Sequence, residues 1–152
     1  MSVYDNLKEF HIELPSPPAK GGIYVPIRQV GNLIFTSGVG PIVNGTPAFV
    51  GKIGKDLTIE EGQLAARIVA INILSILHQY LTDLNRIKQV VKILGFVASA
   101  ENFGSQPQVI NGASQLFVDV FGEKGQHARS AIGTNELPGN IPVEIEGIFE
   151  VK

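Results

Sequence analysis

The chain contains no cysteine and no tryptophan, and only one methionine. The missing thiols exclude disulfides, thiolate nucleophiles and cysteine-ligated metals together, and they are compatible with a reducing compartment. The three histidines, His11, His78 and His127, stand far apart in sequence, and none lies at metal-ligand spacing from another. Charge is sparse and nearly balanced: 12 Lys+Arg against 14 Asp+Glu leave a net charge of -2. With a pI of about 5.9 and dispersed basic residues, no phosphate-binding surface is advertised, and a nucleic-acid partner is not expected. No uninterrupted apolar run reaches the roughly 20 residues that cross a bilayer, and the N-terminus lacks the basic-then-apolar order of a secretory signal. The expectation is a cytoplasmic protein with no membrane partner. Gly51-Lys52-Ile53-Gly54-Lys55-Asp56 lacks the spacing and the following Ser or Thr of a phosphate loop, so that reading is rejected.

Seventeen glycines and nine prolines in 152 residues suit many turns and short strands, in one domain with room for one core. Residues 1–22 carry little pattern and end in Pro15-Ser16-Pro17-Pro18-Ala19-Lys20-Gly21-Gly22, which reads as an N-terminal arm preceding a single domain over 23–152. Tyr24 to Val30 and Leu33 to Ser37 are strand-like runs joined by Gly31-Asn32, a pair suited to a tight hairpin. Ala48 to Ile53 is expected as a short edge strand. Thr58 and Glu61 satisfy a capping box, and Leu64, Ile68, Ile71, Leu74, Ile76, Leu77 and Leu81 continue at helical spacing, so a helix is predicted to end near Tyr80. Ile87 to Ala98 is the central strand, and Pro107 to Phe121 a second helix with Gly122 just beyond it. Two helices cannot cover both faces of such a sheet. The predicted architecture is α+β, with six strands and both helices packed on one face. The open face would mix apolar and acidic residues, which a closed ring of subunits hides.

Candidate chemistry concentrates near the C-terminus. Ala128-Arg129-Ser130 and Val143-Glu144-Ile145-Glu146 read as neighbouring strands, one carrying an arginine and the other carboxylates. Alternation sends Val143, Ile145, Gly147, Phe149 and Val151 to one face, and Glu144, Glu146, Ile148 and Glu150 to the other. A guanidinium matches a carboxylate through two parallel hydrogen bonds, so Arg129 beside an acid suits capture of a small acidic substrate while a glutamate handles water. The alternative is an arginine paired with glutamates on a solvated face. Other positions are equally two-sided. Tyr24 fits a half-buried packing aromatic, Ser37-Gly38 a strand end, and Asn111 a helix residue with either a structural or a binding role. His127, two residues before Arg129, is within reach of the cleft but reads more readily as a loop residue, and His78 reads as a helix-surface one.

Several separated motifs together resemble one family. They are Tyr24; Val30-Gly31-Asn32-Leu33-Ile34-Phe35-Thr36-Ser37-Gly38 with Pro41; Phe96-Val97 with Phe103, Asn111 and Phe117; and Ala128-Arg129-Ser130 with Leu137-Pro138 and Val143-Glu144-Ile145-Glu146. In this order they resemble the RidA family, the YjgF-like reactive intermediate deaminases also labelled endoribonuclease L-PSP, from Pro18 to the C-terminus. The resemblance implies a chorismate-mutase-like sandwich and a homotrimer with sites in the clefts between subunits. It implies hydrolysis of 2-enamine and 2-imino acids to 2-oxo acids and ammonia, with no cofactor and no metal. By position, Arg129 is similar to the arginine that grips the substrate carboxylate and Glu144 to the glutamate that positions water. Tyr24, Ser37, Gly38 and Asn111 match positions lining the cleft. Partners are then small 2-oxo or 2-imino carboxylates and further copies of the chain. The alternatives are a trimer that binds small carboxylates without turnover and, third, an endoribonuclease or translation inhibitor. Val39 stands where many members carry glutamine and Ala131 where cysteine is frequent, which points to a side branch.

Overall fold

A computed structural model describes all 152 residues. Seven strands and three helices follow in the order α1 (Val3–Glu9), β1 (Ile27–Val30), β2 (Leu33–Thr36), β3 (Ile42–Val43), β4 (Thr46–Pro47), α2 (Ile59–Leu81), β5 (Ile87–Ala98), α3 (Gln106–Phe121), β6 (Ala128–Thr134) and β7 (Val143–Val151). The main sheet has five strands, ordered β1-β2-β7-β5-β6, and β3 and β4 form a separate two-stranded hairpin. The expected sixth strand over Ala48 to Ile53 does not form. Gly51, at φ 124°, turns the chain there, and Ile53 alone makes isolated bridges, to Leu57 and Ser99. The β1–β2 hairpin closes on Gly31 (φ 57°) and Asn32, with Val30 opposite Leu33.

β5, α3 and β6 form a parallel βαβ unit, whereas β7 runs antiparallel to both β2 and β5. β5 therefore separates β6 from β7, and the two motif strands expected side by side are not neighbours. The reason is α3: a crossover helix returns the chain parallel to β5, and β6 takes its outer edge.

α2 and α3 lie together on one face of the sheet, as their apolar stripes require. α2 has the length and apolarity of a membrane span, yet Ala65, Val69, Ile73, Leu74 and Leu77 are fully buried between α3 and β7. Its capping box is present, with Glu61 N donating to Thr58 Oγ1 and Thr58 N to Glu61 Oε1, both at 3.1 Å. Close approach of the two helices depends on missing side chains. A Cβ on Gly112 would fall 2.1 Å from the Gln63 carbonyl oxygen, and one on Gly62 2.9 Å from Val109. Phe117 of α3 meets Phe149 of β7 edge-on at 5.9 Å, a geometry worth about 0.5–1.5 kcal/mol beyond burial.

A third helix stands where only an arm was expected. Val3 and Leu7 of α1 are buried in the core, as is Ile12 after it. Tyr4 Oη accepts from Leu84 N at 2.9 Å and donates to His78 Nδ1 at 3.2 Å, while Asn6 Nδ2 donates to the Val120 carbonyl at 2.8 Å. His78 is thus a docking point for α1 rather than a plain surface residue. The opposite face of the sheet is uncovered: Val30, Phe35 and Ile132 are 69%, 39% and 46% exposed, beside partly exposed Leu94, Phe96 and Ile148.

Candidate active site

The predicted site residues fall into two groups. Tyr24, Ser37, Gly38 and Glu144 line one cavity of about 460 Å³. Arg129 and Asn111 lie elsewhere, on the helix-covered side of the sheet, where Asn111 and Ser114 line a shallow groove along α3. In register, Arg129 of β6 faces Ile93 of β5, and Ile93 faces Gly147 of β7. Since Ile93 and Gly147 point inward, so does Arg129, whereas Glu144 points outward. The two are also separated by about 10 Å along the strands and about 9.6 Å across two strand spacings. Neither pairing of Arg129 with these glutamates nor a shared pocket exists within one protomer.

The Glu144 carboxyl is half-buried at the end of β7, directly against Gly38. A Cβ at residue 38 would stand 2.6 Å from Glu144 Oε2, so a side chain there would push the carboxyl out of its present position. Burial, and secondarily the neighbouring Glu146, push the Glu144 carboxyl above its ordinary value of 4.5. The cavity around it is walled by Pro17 to Gly21 of the arm on one side and by Pro138, Gly139 and Ile141 on another. Tyr24, 42% exposed, accepts at Oη from Gly21 N at 2.9 Å, which fastens the arm to the cavity wall. Ser37 Oγ donates to the Val25 carbonyl at 2.7 Å.

Arg129 is held differently. Its Nη1 donates to Asn111 Oδ1 at 2.8 Å and to Ser114 Oγ at 3.1 Å. No carboxylate lies within ion-pair distance; the molecule's one ion pair is Lys88–Glu150 at 3.1 Å. Both protons of Nη1 are used, so the Nε and Nη2 donors remain as a planar fork. Ser114 is in turn fixed by His127. His127 Nδ1 donates to the Gly125 carbonyl at 2.6 Å, which leaves Nε2 to accept the Ser114 hydroxyl proton at 3.0 Å. Phe117 stands edge-on to the imidazole at 6.0 Å. Burial lowers the His127 pKa below 6.5, against the Gly125 hydrogen bond and with the Arg129 charge, so the ring is neutral and an acceptor.

Ser114 as a support of Arg129 escaped the sequence reading, and His127, which the sequence places near the cleft, acts there through Ser114. A signal existed for Ser114, which stands three residues after Asn111 and so on the same helix face. None existed for the cavity wall contributed by Pro17 to Gly21. No three His, Asp or Glu side chains gather at metal-ligand spacing.

Comparison with known proteins agrees with this architecture. The chain is 40% identical over 147 residues to Protein TCP17 of Trypanosoma cruzi, covering 96% of this chain and 92% of that one. A protein of unknown function from Agrobacterium tumefaciens, Atu1372, is 42% identical with a TM-score of 0.92, covering 99% of this chain and 92% of that one. A Shewanella oneidensis MR-1 structure described as a "putative endoribonuclease" is 30% identical with a TM-score of 0.96, covering 99% and 100%. The family profile described as "YjgF/chorismate mutase-like, putative endoribonuclease" matches residues 5–144, and the chain belongs to that family.

Proposed function

We propose that the protein hydrolyses 2-imino acids, and the enamines that tautomerise to them, to 2-oxo acids and ammonia in clefts between subunits of a homotrimer. The observation that carries this reading is Arg129. Its guanidinium is anchored by two neutral acceptors on α3, lacks a carboxylate and keeps a two-donor fork for an anion. An unpaired arginine at the edge strand of one protomer and a perturbed, unpaired glutamate in the cavity of another are complementary halves. The exposed apolar face bearing Phe35 and Ile132 supplies the surface on which such an assembly closes.

The chemistry follows from the two halves. Nε and Nη2 of Arg129 take the substrate carboxylate, which fixes the adjacent C2. Glu144 accepts a proton from water as its oxygen bonds to C2, and the proton passes to the nitrogen. In the resulting amino alcohol the hydroxyl proton moves through Glu144 to the nitrogen as the C–O double bond forms and the C–N bond breaks, leaving the 2-oxo acid and ammonia. A carboxyl whose affinity for a proton is raised by burial holds the proton it takes from water more readily than an exposed glutamate would.

The test is to generate 2-iminobutyrate with a dehydratase and follow its decay with and without the protein. Acceleration is expected, and Arg129→Ala or Glu144→Gln should lower kcat by about 10²-fold or more. Equal decay in the presence of the parent protein refutes the proposal. A binding-only role is favoured by one observation, that the Ser37 hydroxyl is already committed to a backbone carbonyl. Saturable binding of 2-oxobutyrate by calorimetry without rate enhancement selects it. The description of the Shewanella structure as an endoribonuclease predicts RNA cleavage by a nuclease-free preparation. The net charge of -2 and the scattered lysines and arginines do not support it.

A further inference from the structure

We propose that Ser114 and His127 form a nucleophile and base pair that hydrolyses esters of short carboxylic acids through an acyl-serine, a second activity that makes no use of Glu144. The observation that carries it is where the Ser114 proton goes. A helix serine can return its proton to the carbonyl one turn back, as Ser75 of α2 does with Ile71 at 3.1 Å. Ser114 instead directs it out of α3 to His127 Nε2, 3.0 Å away on the chain leading into β6. Anchoring Arg129 asks only that Oγ accept, so an imidazole behind the hydroxyl is more than that task requires.

The pair meets the geometric conditions of an activated hydroxyl. His127 Nδ1 is held by the Gly125 carbonyl at 2.6 Å, and Phe117 buttresses the ring edge-on, so Nε2 is fixed as the acceptor. Burial keeps the imidazole uncharged, the form a general base needs. Oγ donates once and accepts once, from Arg129 Nη1, which leaves its second lone pair for an acyl carbon. Asn111 spends its Oδ1 on that same Nη1. Its Nδ2 donor and the guanidinium charge therefore both stand near Oγ, where a carbonyl oxygen turning negative needs them. Ser114 is half-buried and lines the groove along α3 with Asn111, Gly112 and Gln115, so a small ester reaches it. Ser114 Oγ bonds to the acyl carbon, its proton passing to Nε2 and on to the alkoxide as the C–O bond of the ester breaks. Water then bonds to the acyl carbon and gives a proton to Nε2, which returns it to Oγ as the acyl-serine bond breaks and the acid leaves.

The test incubates the full chain with p-nitrophenyl acetate. Release of p-nitrophenolate beyond one equivalent per chain is expected, with a transient acetyl group on Ser114 located by mass spectrometry of peptides after acid quenching. Ser114→Ala should lose that acetyl group, and its rate should fall at least about 10²-fold, as should that of His127→Gln. The glutamine variant is the more telling, because an amide oxygen accepts the hydrogen bond from Ser114 but cannot take up its proton. A purely structural His127 would tolerate that substitution, and a general base does not. Ser114→Cys restores a nucleophile beside the same base and should be acetylated at the same position. Circular dichroism checks that each variant keeps its helices. Acetyl groups on lysines alone, equal rates for the parent and Ser114→Ala, release that stops at one equivalent, or undiminished acetylation of Ser114 in His127→Gln would each overturn the proposal.

Discussion

At the scale of single residues, the proposed function rests on two charges that have no opposite charge within ion-pair distance, Arg129 and Glu144. Glu144 is the sharper case, because burial raises its carboxyl pKa above 4.5 and the ionised form is the costly one in the folded protein. The folded state therefore binds a proton more tightly than the unfolded state, and stability falls as pH rises from 4.5 through the folded value. Glu144→Gln removes that cost. Thermal melts should show the variant equal to the parent near pH 4 and more stable at pH 8, by no more than the roughly 2–4 °C that about 1 kcal/mol produces in a chain of this size. A variant less stable at pH 8 would mean that the carboxylate makes a favourable contact in the assembled protein. Arg129 depends on its supports in the same manner. His127 accepts from Ser114, and Ser114 accepts from Arg129, so His127→Ala frees the hydroxyl to turn and loosens the guanidinium. The expected outcome is a KM about 3- to 10-fold higher with kcat little changed, as loss of one hydrogen bond's ordering predicts. His127→Gln, whose amide oxygen reaches toward the same hydroxyl, should restore part of it. A fall in kcat at unchanged KM would place His127 in the chemical step instead.

At the scale of elements, α3 is the piece on which both packing and chemistry depend. It carries Asn111 and Ser114 on its outer side and Phe117 on its inner side, and it crosses α2 where Gly112 meets the Gln63 backbone. Gly112→Ala must push the helices apart, since the obstruction is backbone and cannot rotate away. Overpacking of this kind costs about 1–3 kcal/mol. Differential scanning calorimetry should record a loss of about 3–10 °C, with a raised KM because Asn111 and Ser114 move with the helix. An unchanged melting temperature would show that the crossing has slack. The same element explains what the sequence could and could not tell. Thr58 with Glu61, the apolar stripes of α2 and α3, and the strict alternation of β7 are local patterns, and local patterns determine helices, strands and buried faces. The order of strands is not local. β6 and β7 are consecutive in the chain, yet α3 returns the chain parallel to β5, and Arg129 consequently points to the face opposite Glu144. α1 stayed hidden for a related reason: its seven residues are too few to show a period, and its docking relies on Tyr4, Asn6 and distant backbone atoms. The motif residues themselves were legible because they punctuate strands and helix starts. Their division between two places was not, because it follows from the pleat and the crossover.

At the scale of the whole molecule, that division makes a quantitative demand. If catalysis needs Arg129 of one protomer and Glu144 of its neighbour, each protomer contributes half of two different sites. A trimer built only from Arg129→Ala chains has no working site, and neither does one built only from Glu144→Gln chains. Mixed trimers differ. A site is intact wherever the glutamate comes from an Arg129→Ala chain and the arginine from an adjacent Glu144→Gln chain. For random assembly from equal amounts, each requirement is met half the time, so about a quarter of all sites regain both groups in a closed ring of this symmetry. Co-refolding the two inactive variants at equal concentration should therefore recover about a quarter of parental activity, whereas mixing them without subunit exchange should recover none. Sedimentation must show one trimeric species throughout. The open sheet face supplies the paired control: Phe35→Asp together with Ile132→Asp places charge on the surface expected to close the ring, and should give monomers with α2 and α3 intact by circular dichroism but no turnover. Co-refolded variants that stay inactive while forming trimers would locate both groups' work within a single chain. That outcome is hard to reconcile with an arginine and a glutamate on opposite faces of one sheet, and it would require a different partner for the guanidinium fork.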